Sequence, residues 1–144
     1  MKSWFRLDPR SGVPMYLQLK EQIKMAVAGG VLKMGDRLPP VRELAAELNV
    51  NPNTIARAYS ELEKEGLLRL EQGRGTFING KEPLLGIEER SKKMRNLIDK
   101  LLMEAYHLHI SYEQLDKLWQ ERLNAWEKRL NQREEGEIKK WNGR

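Results

Sequence analysis

The spacing of hydrophobic and polar positions along this chain switches from a helical period to a period of two and back again. From Pro14 to Gly29, Leu17, Ile23 and Val27, with Met15, Leu19 and Ala26 beside them, recur at helical intervals. Pro14 suits an early helical position, where a missing N–H costs nothing. Gly29-Gly30 stops the helix, because glycine takes the left-handed backbone conformation cheaply. Leu32 and Leu38 flank a turn at Met34-Gly35-Asp36. A second helix starts at Pro39-Pro40 and reaches Leu48, with Val41, Leu44, Ala45 and Leu48 at i, i+3, i+4 and i+7. Asn49-Val50-Asn51 is too short for anything but a sharp turn between packed helices. Asn51 is placed to cap a third helix over 52–65, with Pro52 at its first position and Gly66 ending it. Ile55, Ala58, Tyr59 and Leu62 form its apolar face, while Asn53, Thr54, Arg57 and Ser60 project elsewhere.

The period then drops to two. Residues 67–70 and 75–78 read as short strands joined by Gln72-Gly73-Arg74, a glycine-containing hairpin. Beyond Asn79-Gly80-Lys81-Glu82-Pro83 the strand signals vanish and the helical period returns. One stripe, Met94, Leu97, Ile98, Leu101, Leu102, Ala105 and Leu108, predicts a helix from about Ile87 to Leu108. Ser111 with Gln114 forms a capping box that opens another helix, carrying Leu115, Leu118, Trp119, Leu123, Trp126 and Leu130. From Glu134 the pattern decays into a charged tail expected to fray. The predicted fold is mostly α with a small β wing. An N-terminal winged helix-turn-helix spans 11–80, a C-terminal two-helix dimerisation segment spans 84–134, and the charged tail covers 135–144.

Composition narrows the class. At 144 residues with 33% charged and 7% aromatic side chains, the chain is one ordinary domain or two small ones, soluble and helix-rich. No run approaches the roughly 20 apolar residues that span a bilayer, so no membrane partner is expected. The opening Met1-Lys2-Ser3-Trp4 leads into no uninterrupted apolar stretch of the signal-peptide kind. There is no cysteine, hence no disulfide framework or thiolate metal site. The expected location is the bacterial cytoplasm, at the nucleoid when bound to DNA. Net charge is +5, with 12 Lys/Arg against 9 Asp/Glu in residues 1–80 and 14 against 12 thereafter. That balance is compatible with phosphate binding and proves nothing alone.

The chemistry concentrates around the third helix. A helix in the major groove reads bases through Arg, Asn, Gln or Thr side chains and through apolar contact with the thymine methyl. Asn53, Thr54 and Arg57 have that chemistry on its first two turns, with Arg57 and Asn53 the expected specificity residues. Arg37, Arg42 and Arg74 are better placed to grip phosphates or, for the wing, the minor groove. Asn51 is a cap first and a DNA contact second. His107 and His109, at i and i+2, diverge on a helix, and no metal site is expected. No nucleophile–base pair stands out, so neither an enzyme nor a cofactor is expected.

Residues 38–45, reading LPPVRELA, together with Asn51-Pro52-Asn53-Thr54 and Gly73-Arg74-Gly75-Thr76-Phe77, resemble the GntR family of bacterial transcriptional regulators. The likeness covers roughly 11–80, and the short two-helix C-terminal part resembles the YtrA subfamily, whose members often repress operons containing ABC transporters. The resemblance implies double-stranded DNA as partner, with contacts at Arg42, at the first turns of the third helix, and at the wing glycine, Gly75, and its neighbours. Other branches of the family place arginines where Pro52 and Ala56 stand here, so their base-reading scheme does not transfer. Pro40 also replaces the serine common at the second helix's cap.

About 60 residues in two helices cannot enclose a sizeable ligand pocket and also build an independent core. The stripes expose more apolar surface than one hairpin partner covers. A homodimer through Leu97, Leu101, Leu118, Trp119 and Trp126 is the economical solution, and it sets two recognition helices about one DNA turn apart on a near-palindromic operator. The competing reading folds these helices over the first helix of the same chain. A dimeric repressor, with a small-molecule effector of unknown identity changing the spacing of its two heads, is the expected function. An architectural or non-specific DNA-binding protein, or a winged helix that binds protein instead, are the rivals.

Overall fold

The computed structural model describes residues 5–80 and 85–142, with side chains described through Arg129 and at Asn131. The opening Met1–Trp4, the boundary residues 81–84, the Leu130 side chain and the last two residues of the tail lie outside the described residues. The chain divides into two compact units, Met1–Leu84 and Leu85–Arg144.

The first unit runs α1 (Met15–Ala28), β1 (Arg37–Leu38), α2 (Val41–Leu48), α3 (Pro52–Lys64), β2 (Leu68–Glu71) and β3 (Gly75–Ile78). Its core follows the predicted periodicity in α2 and α3, whereas in α1 Leu19 and Ile23 are buried and Leu17, expected on the apolar face, stays half-buried outside the core. Leu19 and Ile23 of α1, Leu44 of α2, and Ile55, Ala58 and Leu62 of α3 meet Leu38, Leu68 and Ile78 from the strands. Burying each of the larger side chains contributes about 1.5–3 kcal/mol, which outweighs the weak intrinsic helix preference of an eight-residue segment such as α2.

Helix ends follow local chemistry, with small corrections to the sequence reading. Pro14 and Pro40 stand just outside α1 and α2 as caps, with extended ψ of 138° and 150°. Their carbonyls accept the first helical bonds, from Gln18 N–H at 3.1 Å and from Leu44 N–H at 2.9 Å. A proline lacks a donor in either place, so the one-residue shift costs nothing. Asn49 ends α2 in the left-handed region, φ 54°, and Val50 N–H returns to the Ala45 carbonyl at 3.0 Å.

The strands form one antiparallel sheet in the order β1-β3-β2. Strand β1 was not expected; two residues carry no period of their own, and only pairing with β3 makes them a strand. The register Arg37–Phe77–Arg69 and Leu38–Thr76–Leu70 puts Leu38, Leu68 and Ile78 on the core side. Arg37, Phe77 and Arg69 therefore share the other side.

Ahead of α1 lies a strap that the hydrophobic pattern leaves unassigned. Gln18 and Gln22, one helical turn apart, each exchange a pair of amide hydrogen bonds with the strap backbone. Asp8 N–H donates to Gln18 Oε1 at 2.8 Å and Gln18 Nε2 donates back to the Asp8 carbonyl at 2.8 Å. Arg6 N–H and carbonyl do the same with Gln22, at 3.0 and 2.6 Å. The match is geometric: four helical residues rise about 6 Å, close to the ~6.6 Å repeat of two extended residues. The strap also brings Phe5 into the core.

The second unit consists of α4 (Ile87–His107) and α5 (Tyr112–Asn142). His109, φ 56°, closes α4, with Ile110 N–H returning to the Ala105 carbonyl at 2.9 Å. The capping box is formed: Ser111 N–H donates to Gln114 Oε1 at 2.9 Å, and Gln114 N–H donates to Ser111 Oγ at 3.1 Å. The tail expected to fray is helical to Asn142, in keeping with the good helix propensity of Glu, Lys and Arg. Among the described residues, no helix is long and apolar enough to cross a membrane.

Candidate nucleic-acid interface

Helix α3 starts where Asn51 caps it: Asn53 N–H donates to Asn51 Oδ1 at 2.9 Å, with Pro52 behind it in the first turn. One side of the helix is sealed, since Ile55, Ala58, Tyr59 and Leu62 are at most 5% exposed. The opposite side, Pro52, Asn53, Ala56, Arg57 and Ser60, is exposed, and Thr54 is half-buried between them. Tyr59 anchors the helix to the turn before α2, its hydroxyl donating to the Pro39 carbonyl at 2.7 Å. Burial pushes that phenol above its ordinary range, because the phenolate would lose its hydration.

Arg57 does not extend straight out from α3. Its guanidinium carbon lies 3.7 Å from the centre of the Tyr16 ring on α1, and Nη2 donates to the Tyr16 hydroxyl at 3.1 Å. Nε faces Glu61 Oε2 at 3.6 Å. Further along the same seam, Lys20 pairs with Glu61 and Glu65 at 3.8 and 3.4 Å, and Lys24 with Glu65 at 3.2 Å. Tyr16 was not singled out in the sequence. The two residues are 41 apart, and only the packing of α1 on α3 brings them together.

The wing unites several of the predicted residues. Gly75 has φ +125°, and a β-carbon there would stand 2.8 Å from Arg37 Nε, so the Arg37 side chain rests on the glycine. Arg37 also borders a cleft of about 240 Å³ with Leu38, Pro39, Pro40 and Glu43, at the entry to α2. At the tip, Glu71 is shared between two arginines: Arg69 Nε donates to Oε1 at 3.0 Å, and Arg74 Nη1 lies 3.2 Å from Oε2. Arg69 also donates to the Ile78 carbonyl at 3.2 Å and lies 5.3 Å from the Phe77 ring centre. Arg69 is not among the site residues expected from sequence, although its place between Leu68 and Leu70 in a period-two run marks it as outward-facing. Arg42 is exposed on α2. Among the described residues, the Arg37 and Arg42 side chains have neither an ion pair nor a hydrogen bond.

In the second unit Ala105 is the only buried side chain among those described. The five residues assigned to dimerisation all remain open to solvent, from 36% at Trp126 to 59% at Leu97. Among the described residues, no cluster of three or more His, Cys, Asp or Glu could hold a metal ion.

Residues 15–78 match the family model described as bacterial regulatory proteins, gntR family. The HTH-type transcriptional repressor YtrA of Bacillus subtilis is 36% identical over 120 residues, which is 83% of this chain and 92% of that protein. Among solved structures, a transcriptional antiterminator from Listeria monocytogenes superposes with a TM-score of 0.75 at 29% identity, over 88% of this chain and 94% of that one. YtrA from Sulfolobus acidocaldarius, a GntR-family transcription factor, gives a TM-score of 0.59 at 33% identity, covering 70% and 99%.

Proposed function

The chain belongs to the gntR family of bacterial regulatory proteins, and from that premise we propose that it works as a dimeric repressor that occupies a near-palindromic operator. It is a DNA-binding transcriptional regulator and not an enzyme. The observation that carries the reading is the two-sided α3: a sealed apolar flank and an exposed polar flank starting at a capped helix N-terminus. Its first-turn N–H groups are spent, Asn53 on the Asn51 side chain and Thr54 on the Asn51 carbonyl, so what this end offers an approaching phosphate is the positive helix dipole.

In this reading Asn53 and Thr54 meet base edges in the major groove, with Arg57 beside them. Arg42 and Asn51 lie against the flanking backbone. Arg37, Gly75 and Arg74 bring the wing to phosphates or the minor groove. The Asn53 amide can donate to and accept from an adenine edge, which makes it the base reader favoured here. Two copies joined through α4 and α5 would hold their reading heads about one DNA turn, roughly 34 Å, apart. Repression follows from exclusion of RNA polymerase at the promoter, and an effector would act by altering the spacing of the heads. An operon encoding a transporter is the target suggested by the YtrA-type resemblance, and binding chromosomal DNA places the protein in the bacterial cytoplasm.

The test is competition between a duplex selected by the protein from a randomised pool and a scrambled duplex at physiological salt. A regulator prefers the first by about 10³-fold or more. Equal affinity for both would establish the architectural rival. Arg42→Ala is expected to weaken binding with the dimer mass unchanged, and unaltered affinity would remove Arg42 from the interface.

A further inference from the structure

We propose that Arg57 acts as a sequence-independent phosphate clamp and that Tyr16 is the residue that positions it. The inference rests on the reading that α3 faces a duplex, and it assigns Arg57 a different part from the base-reading one expected from sequence. Arginine reads guanine by presenting two parallel N–H donors to O6 and N7. Here the guanidinium is laid back on Tyr16 of α1, with one Nη2 N–H spent on the Tyr16 hydroxyl at 3.1 Å and Nε 3.6 Å from Glu61. Both N–H groups of Nη1 and the second of Nη2 remain for an incoming group. Charge-assisted donors held at the flank of α3 suit a phosphate oxygen, which needs no particular base beside it.

The charge at the seam supports the same partner. Lys20, Lys24 and Arg57 face Glu61 and Glu65, which leaves one net positive charge on this side of the α1–α3 contact. Glu61 Oε2 is buried and takes no hydrogen bond, and at 3.6 Å from Arg57 Nε it holds the guanidinium only loosely. The stack on Tyr16 is what fixes the guanidinium. A guanidinium held over an aromatic ring keeps its planar orientation and loses less rotamer freedom on meeting a ligand. Stacked arginine and phenol thus form a preset arm at the edge of the recognition helix.

The experiment measures dissociation constants against salt concentration for the full chain, on the selected duplex and on the scrambled one. Arg57→Ala should weaken both by a similar factor, roughly fivefold, taking a non-specific affinity shared among six to ten contacts. The slope of log K against log salt should fall by about 1. Sequences reselected by the Arg57→Ala protein should match those of the parent. Tyr16→Leu, which keeps apolar volume but removes ring and hydroxyl, should reproduce a smaller uniform loss. Tyr16→Phe, which keeps the ring, should restore most of it. A changed base preference at one position in Arg57→Ala would overturn the clamp in favour of base reading. So would a Tyr16→Leu protein with parental unfolding midpoint, affinity and salt slope. If the parent itself shows no preference between duplexes, the regulator reading fails, while a uniform loss in Arg57→Ala would still be visible on the scrambled duplex.

Discussion

Arg37 rests its side chain on Gly75: a β-carbon at the glycine would stand 2.8 Å from Arg37 Nε and 3.4 Å from its guanidinium carbon. The contact has two requirements, no side chain at 75 and a φ of +125° that L-residues rarely adopt. Gly75→Ala should therefore cost about 1–3 kcal/mol of stability through backbone strain and also displace the arginine. Arg37→Ala, on the exposed side of the sheet, should change stability by less than about 0.5 kcal/mol and weaken DNA binding alone. Urea unfolding combined with duplex titration separates the two effects. A Gly75→Ala protein as stable as the parent would show that the wing tolerates a side chain there.

The capping of α3 by Asn51 and the DNA contact proposed for it can be pulled apart by changing its charge. Asn51→Ala removes the acceptor for Asn53 N–H and should destabilise by about 1 kcal/mol. Asn51→Asp keeps the acceptor and adds a negative charge at a helix N-terminus, which is favourable, so stability should hold or rise. Against a phosphate backbone that same charge is repelled. Affinity for DNA should drop, most at low salt where screening is weak. Undiminished binding by Asn51→Asp would place residue 51 away from the phosphates.

Tyr59 gives the fold a dependence on alkaline pH. Its folded phenol is held above the ordinary value because burial opposes the phenolate. The native state therefore keeps this proton at pH values where the unfolded chain releases it. Stability from this group is complete below about pH 10 and declines as pH rises past it, with a slope approaching 1.4 kcal/mol per pH unit. Tyr59→Phe should be less stable at neutral pH by about 1–3 kcal/mol, since the Pro39 carbonyl loses its donor. It should also lose that part of the alkaline decline. An identical pH profile in both proteins would assign the decline to other groups.

What the sequence revealed and what it concealed divides along the range of the interactions involved. The Asn51-Pro52 start of α3, the Ser111–Gln114 box and the Gly73 hairpin are set by residues a few positions apart, and each could be read directly. Strand β1 could not, because Arg37 and Leu38 are extended only through bonds to Thr76 and Phe77. The glutamine ladder to Arg6 and Asp8 was equally silent: Gln18 and Gln22 look like ordinary polar positions on a helix until an extended segment lies beside them. The same holds for Tyr16. An aromatic residue near the start of α1 is unremarkable by spacing, and its stacking with Arg57 exists only because Leu19 and Ile23 pack α1 onto α3. Polar α3 residues could be proposed from chemistry alone, whereas the direction in which each arginine points depended on tertiary neighbours.

The working molecule is expected to contain two chains. In one copy, Leu97, Leu101, Leu118, Trp119 and Trp126 all remain 36% exposed or more, and only Ala105 among the described residues of the unit is buried. A two-helix hairpin with that little interior is marginal by itself. Covering the stripe with a second copy converts each exposed leucine or tryptophan into core at about 25 cal/mol per Å² buried. Light scattering on the full chain should give the dimer mass at micromolar concentration. Leu101→Glu and Trp119→Glu, each placing a charge in that seam, should give the monomer while the winged helix stays folded. Binding to a two-half-site duplex should then fall by about 10² or more, because the second head no longer engages at high effective concentration. Binding to a single half-site should barely change. A monomeric parent at micromolar concentration, or glutamate variants that retain the dimer mass, would move the interface away from α4 and α5.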